Sequence, residues 1–167
     1  MYWPVQIMRN LVGWVWTLAC AVSILVGGYI IGPRRVWQIV HPVWGRVLLR
    51  IVDVQYDLQG TFTEPSLIVA NHSSLLDIVV LPAVMPARIA IIGKKELLRI
   101  PLVGRAFFSA GGIMIDRSDP EGAKCAIEKG IATLEKGWSL MIFPEGTRSR
   151  DAELRPFKKG FVYMARS

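Results

Sequence analysis

The sequence has little of what metal centres and disulfide frameworks are made from. It holds two cysteines, Cys20 and Cys125, and two histidines, His41 and His72. No CxxC or Cys/His cluster occurs. That argues against structural zinc and a cystine scaffold, and it leaves too few imidazoles for a multi-histidine metal site. Such cysteine use is compatible with a reducing compartment. Acidic residues are also in the minority: 13 Asp+Glu stand against 20 Lys+Arg, a net charge of +7. A chain this basic suits nucleic acid or an anionic lipid surface. No Lys/Arg-rich run interleaved with polar residues is present, so no nucleic-acid partner is expected. Hydrophobic residues make up 52% of the chain and the mean hydropathy is +0.38, which favours lipid. Internal repeats and low-complexity tracts are lacking. A length of 167 residues allows one domain plus an appendage.

Residues 11–31 are a run of 21 without charge, where Thr17 and Ser23 are the ordinary polar members. As a helix it would cover about 31 Å, close to the thickness of a bilayer's hydrocarbon core. Trp3, Trp14, Trp16 and Tyr29 lie towards its ends, where aromatic rings favour the membrane interface. A cleaved signal peptide is the competing reading, but the run is longer than a signal's apolar core and lacks a small-x-small cleavage site. Gly32-Pro33 ends the helix, and Arg34-Arg35 lean the following chain towards the cytoplasmic side. Residues 36–54 repeat Val36, Val40, Val43, Val47, Ile51 and Val54 at three- or four-residue steps, with Arg46, Arg50 and Asp53 opposite. This is an amphipathic helix with Pro42 inside it. Its stripe can lie in the membrane interface or pack on the domain. Residues 1–54 therefore read as N-terminal membrane-anchoring helices.

From residue 55 to 167 the texture is α/β. Residues 66–70, 88–92, 113–116 and 139–143 are short, nearly continuous apolar runs, the pattern of strands covered on both faces of a mostly parallel sheet. Residues 120–136 read as a helix, with Asp119 as N-cap, Pro120 in the first turn and Gly137 at C′. Residues 160–165 read as the start of another helix with no cap or polar terminus after it. The C-terminal part of the fold is therefore expected to be missing.

Three constellations can carry chemistry. Asn71-His72-Ser73-Ser74-Leu75-Leu76-Asp77 follows the first strand. A histidine can take a hydroxyl proton near neutral pH, and an aspartate can hold its tautomer and stabilise the imidazolium. Five positions along one continuous helix would turn the two side chains about 140° apart. They meet only if His72 sits in the loop and Asp77 lies in the second turn of the helix after it. Taken alone, HxxxxD fits equally a helix capped by Asn71 or Ser73 beside an exposed His72. Phe143-Pro-Glu-Gly-Thr-Arg-Ser-Arg150 follows the fourth strand. Arg148 and Arg150 are planar forks suited to phosphate, Gly146 lets backbone approach a ligand, and Glu145 can hold a hydroxyl or orient an arginine. A charged surface turn is the plainer reading. Gly111-Gly112-Ile113-Met114-Ile115-Asp116-Arg117 is a glycine turn, a strand and a terminal arginine, or simply an Asp–Arg pair at a strand end.

In order and spacing these segments resemble the glycerolipid acyltransferases of the 1-acyl-sn-glycerol-3-phosphate acyltransferase type. His72 and Asp77 match that family's HxxxxD signature, and FPEGTRSR matches its phosphate-binding motif. GGIMIDR is similar to its intermediate motif, with Met114 in the aromatic place. Gly93-Lys-Lys-Glu-Leu-Leu-Arg-Ile-Pro-Leu-Val-Gly104 and Phe157-Lys-Lys-Gly160 are similar to the segments between and after, so the resemblance covers residues 67–160. It implies acyl transfer from acyl-CoA or acyl-carrier protein to lysophosphatidic acid, giving phosphatidic acid, with His72 as general base and Asp77 orienting it. It implies an acceptor site of Arg117, Glu145, Gly146, Thr147, Arg148 and Lys95, no metal or organic cofactor, and a bacterial inner membrane with the site on its cytoplasmic side. Another acceptor (glycerol-3-phosphate or a different lysophospholipid), or an inactive truncated lipid-binding fragment, remains the alternative. The family pattern runs on with a further strand and a Pro-containing motif that this chain does not supply.

Overall fold

The structure is a computed structural model and describes residues 3–116, 119–149 and 153–166. Helix α1 spans Trp3–Ile31. It begins earlier than the apolar run because Arg9 and Asn10 continue the same helix, and Arg9 reaches Asp53 at 3.7 Å. At 29 residues it is about 44 Å long. It is long and apolar enough to cross a membrane. Gly32, with φ of 89°, turns the chain directly into α2, Pro33–Val52, whose proline occupies the first turn.

Helix α2 settles where its stripe goes. The buried line runs Val36, Trp37, His41, Gly45, Leu48 and Leu49, while Val43 is exposed. The regular valine spacing does not coincide with this line, because α2 is wedged between α1 on one side and the sheet domain on the other. Trp37 Nε1 donates to the Ile89 carbonyl at 2.9 Å. Gly45 meets α3 (Asp77–Val84): a Cβ there would lie 2.7 Å from the Ala83 nitrogen. A residue without a side chain is what lets the two helices touch backbone to backbone.

The four expected strands form. They are β1 Leu67–Val69, β2 Ile89–Lys94, β3 Ile113–Ile115 and β4 Ser139–Ile142, in one parallel sheet of order β1-β4-β2-β3. Leu67 pairs with Leu140, Ile91 with Met141, and Ile92 with Ile113. Helix α3 joins β1 to β2. A 3₁₀ turn over Lys95–Arg99 and α4 (Val103–Ser109) join β2 to β3, and α5 (Pro120–Glu135) joins β3 to β4. The Asp119 carboxylate caps α5 as expected, accepting from the Glu121 N–H at 3.1 Å, and Gly137 follows with φ of 73°. The last helix, α6, is Gly160–Arg166.

The core has layers. Ala90, Ile92, Ile113 and Leu140 pack with Ala126 of α5 and Met164 of α6. Ile89 and Met141 pack with Met85 just beyond α3. A third cluster joins Ala21 and Ile24 of α1 to Val36 and Trp37 of α2 and Ala106 of α4. The sheet is thus covered on both faces, which is why its strands read as continuous apolar runs. Helix α1 buries only Cys20, Ala21 and Ile24; Leu11, Val15, Val22, Val26 and Ile30 are exposed.

Candidate active site

All four strands run in parallel, so their carboxyl ends share one edge, the usual place for a site in an open α/β sheet. Because β1 and β4 are neighbours, the His72 loop and the Glu145 loop lie side by side at that edge. His72 is in the loop, as the spacing demanded. Asp77 is the first residue of α3, not in its second turn. The intervening residues close into a tight turn on the carboxylate: Asp77 Oδ2 accepts from the Ser73 and Ser74 N–H groups at 2.9 Å each. That turn brings His72 Nδ1 to 2.8 Å from the same oxygen. A carboxylate only accepts, so Nδ1 carries the proton and Nε2 of the neutral ring keeps its lone pair.

The β4 loop holds His72 from two further directions. The Phe143 ring stacks on the imidazole with centroids 4.1 Å apart and planes at 19°. The Glu145 carboxylate accepts the His72 backbone N–H at 2.8 Å, and the His72 carbonyl accepts from the Ser149 N–H at 2.8 Å. Glu145 is 5% exposed, and its second oxygen accepts the Arg155 N–H at 3.2 Å. Phe143 is a contact that the motif reading missed. The parallel register, Val69 beside Ile142, is the feature that brings it next to the His72 loop.

Gly146 sits in the turn with φ of 71°, and its N–H donates to the Phe143 carbonyl at 3.1 Å. The Lys158 stem lies over it: a Cβ on Gly146 would be 3.0 Å from Lys158 Cε. Thr147 and Arg148 are exposed and line an open recess of about 370 Å³ with Ser73 and Ser149. Among the described residues, Arg148 has no ion-pair partner. The recess therefore offers a cation and hydroxyl groups beside the imidazole.

Of the remaining candidates, Lys95 is described and does not line the recess. Lys95 follows β2 and forms an ion pair with Asp116, which follows β3. The hydrogen bond to Asp116 raises the Lys95 pKa. Two strand spacings separate β2 from β1, roughly 10 Å across the edge. Arg117 and Arg150 lie outside the described residues, so the intermediate motif is seen only as far as Asp116.

With this geometry in view, the comparisons are specific. A sequence profile described as "Acyltransferase" matches residues 52–167. The chain belongs to the acyltransferase family. Among curated acyltransferases, it is similar to the 1-acyl-sn-glycerol-3-phosphate acyltransferase of Cocos nucifera, 40% identical over 74% of this chain and 41% of that one. The protein of the same name from Helicobacter pylori is 43% identical over 69% of this chain and 49% of that one. The chain thus spans about half the length, or less, of these curated relatives. Its fold matches the crystal structure of the 1-acyl-sn-glycerophosphate (LPA) acyltransferase, PlsC, from Thermotoga maritima. The TM-score is 0.70 at 24% identity, covering 96% of this chain and 70% of that one. The α/β acyltransferase fold expected from the motifs is therefore present.

Proposed function

We propose that the protein carrying this chain moves a fatty acyl group from acyl-CoA or acyl-carrier protein onto the free hydroxyl of lysophosphatidic acid, giving phosphatidic acid. The observation that carries this reading is the His72–Asp77 pair, 2.8 Å apart beside the recess that Arg148 lines. The relatives' name, 1-acyl-sn-glycerol-3-phosphate acyltransferase, supports the acceptor.

His72 Nε2 takes the proton from the acceptor hydroxyl as that oxygen attacks the thioester carbonyl. Asp77 stabilises the imidazolium. The tetrahedral intermediate collapses, the carbon–sulfur bond breaks, and the imidazolium returns its proton to the leaving thiolate. Proton transfer of this kind is worth roughly 10²–10⁴ in rate. Thr147, Arg148 and the Gly146 turn hold the glycerol phosphate, and the family resemblance adds Arg117 and Lys95 to the acceptor-binding residues. Helix α1 keeps the site at the bilayer, so the acceptor need not be pulled out of it, at about 0.8 kcal/mol for each CH₂. That bilayer is a bacterial inner membrane, with the site facing the cytoplasm. Arg34 and Arg35 after α1 favour this side.

The test is acyl transfer by membranes containing the complete protein, supplied with acyl-CoA or acyl-carrier protein and, in parallel, lysophosphatidic acid, glycerol-3-phosphate and a choline lysophospholipid. Phosphatidic acid should be the main product. Preference for either of the other acceptors would overturn the assignment.

A further inference from the structure

Glu145 stands in the motif whose neighbours face the recess, yet it is turned the other way. Thr147 and Arg148 are exposed, whereas Glu145 is 5% exposed. Its two oxygens are each taken by a backbone donor. Oε1 accepts the His72 N–H at 2.8 Å and Oε2 accepts the Arg155 N–H at 3.2 Å. No cation among the described residues pairs with it. Carboxylate–amide bonds of this kind are charge-assisted and stronger than neutral ones, and burial removes competing water. Because the carboxylate is buried, a ligand would have to open the loop to reach it.

We infer that Glu145 is a positioning residue: it ties the His72 loop, its own loop and the segment at Arg155 together, and so holds the base in register, instead of binding the acceptor. The tie acts at the peptide next to the imidazole. On one side His72 is fixed through its own N–H. On the other, its carbonyl is fixed by the Ser149 N–H at 2.8 Å. The ring is then free to turn only within the space left by Phe143 and Asp77. Releasing the tie lets His72 drift by a fraction of an ångström to an ångström, and misplacement of about 1 Å can cost on the order of 10²-fold in rate.

This rests on the acyl-transfer reading, so the experiment has two arms. In the first, Glu145→Gln and Glu145→Ala are assayed in membranes for kcat and for the KM of lysophosphatidic acid. Gln keeps one acceptor oxygen and serves as the variant that preserves the fold. Glu145→Gln should lower kcat about tenfold and Glu145→Ala about a hundredfold, with acceptor KM within about twofold of wild type. An unchanged kcat, or a tenfold rise in acceptor KM with kcat kept, overturns the inference. The second arm needs no activity. The chain's two histidines give separable imidazole nitrogen signals in detergent-solubilised protein labelled with ¹⁵N-histidine, assigned with His41→Gln. Glu145→Gln should shift the His72 signals while leaving those of His41 in place. Superimposable His72 signals overturn the positioning role. Wild-type protein inactive towards every acceptor while His72 still shifts would instead discard the acyl-transfer reading alone.

Discussion

His72 and His41 are the same side chain in two regions that treat it in opposite ways. His72 lies in a loop at the carboxyl edge of the sheet, with a carboxylate on Nδ1, an aromatic ring on one face and a recess nearby. His41 lies in the middle of α2, 1% exposed, stacked on Trp37 and with Nδ1 2.9 Å from the Trp37 carbonyl. Its Nε2 has no hydrogen-bond partner among the described residues. Burial lowers the His41 pKa, the Trp37 and Pro86 carbonyls oppose it, and Arg46 adds a smaller lowering. One region sets an anion against the imidazole; the other disfavours an imidazolium by burial. The surroundings, not the residue type, set the two histidines apart.

The comparison is sharpest where it costs activity. His72→Ala should lower acyl transfer by roughly 10²–10⁴ while the protein stays folded, read as initial rate beside thermal unfolding. Wild-type rates in that variant would remove the distinction between the two regions. Asp77→Asn keeps the shape of the turn but loses the charge that favours the imidazolium. A fall in kcat of up to about 10⁴-fold is expected, with acceptor KM nearly constant. Arg148→Ala should act the other way, raising acceptor KM about tenfold with a smaller change in kcat, because a charge-assisted bond to phosphate is worth on the order of 1.5–3 kcal/mol. A donor KM that rises in its place would transfer Arg148 to the thioester side.

The smallest effect belongs to His41 and concerns stability. Its folded pKa is depressed, so below about pH 6.5 the unfolded chain binds a proton that the folded one refuses. Stability is then lost as pH falls from about 6.5 towards the folded pKa, by up to roughly 1.4 kcal/mol per pH unit. His41→Gln should flatten that slope in unfolding measured between pH 7 and pH 5, and should leave acyl transfer at pH 7.5 within about threefold. A loss of transfer as deep as that of His72→Ala would show the two regions to be one functional unit.

Much of the fold was legible beforehand because its signals are local. Four apolar runs became four strands, and Asp119 with Gly137 bounded α5. The α2 stripe was less legible. Periodicity reports one face, and a helix wedged between α1 and the sheet domain buries more than one. Of the candidate site, the motifs marked the loops that meet at the sheet edge but not the direction of each side chain. Glu145 and Arg148 are three residues apart in one motif, yet one is sealed against backbone amides and the other is exposed. Lys95 likewise matched in sequence and is engaged by Asp116.

By itself the sequence determined a long apolar helix, an α/β chain and the order of motifs at strand ends, since each depends on residues close together in the chain. The tertiary structure decided which strands are neighbours, and hence that the His72 and Glu145 loops meet. Parallel pairing joins residues 73 positions apart. No local pattern encodes a contact that forms only when β4 inserts between β1 and β2.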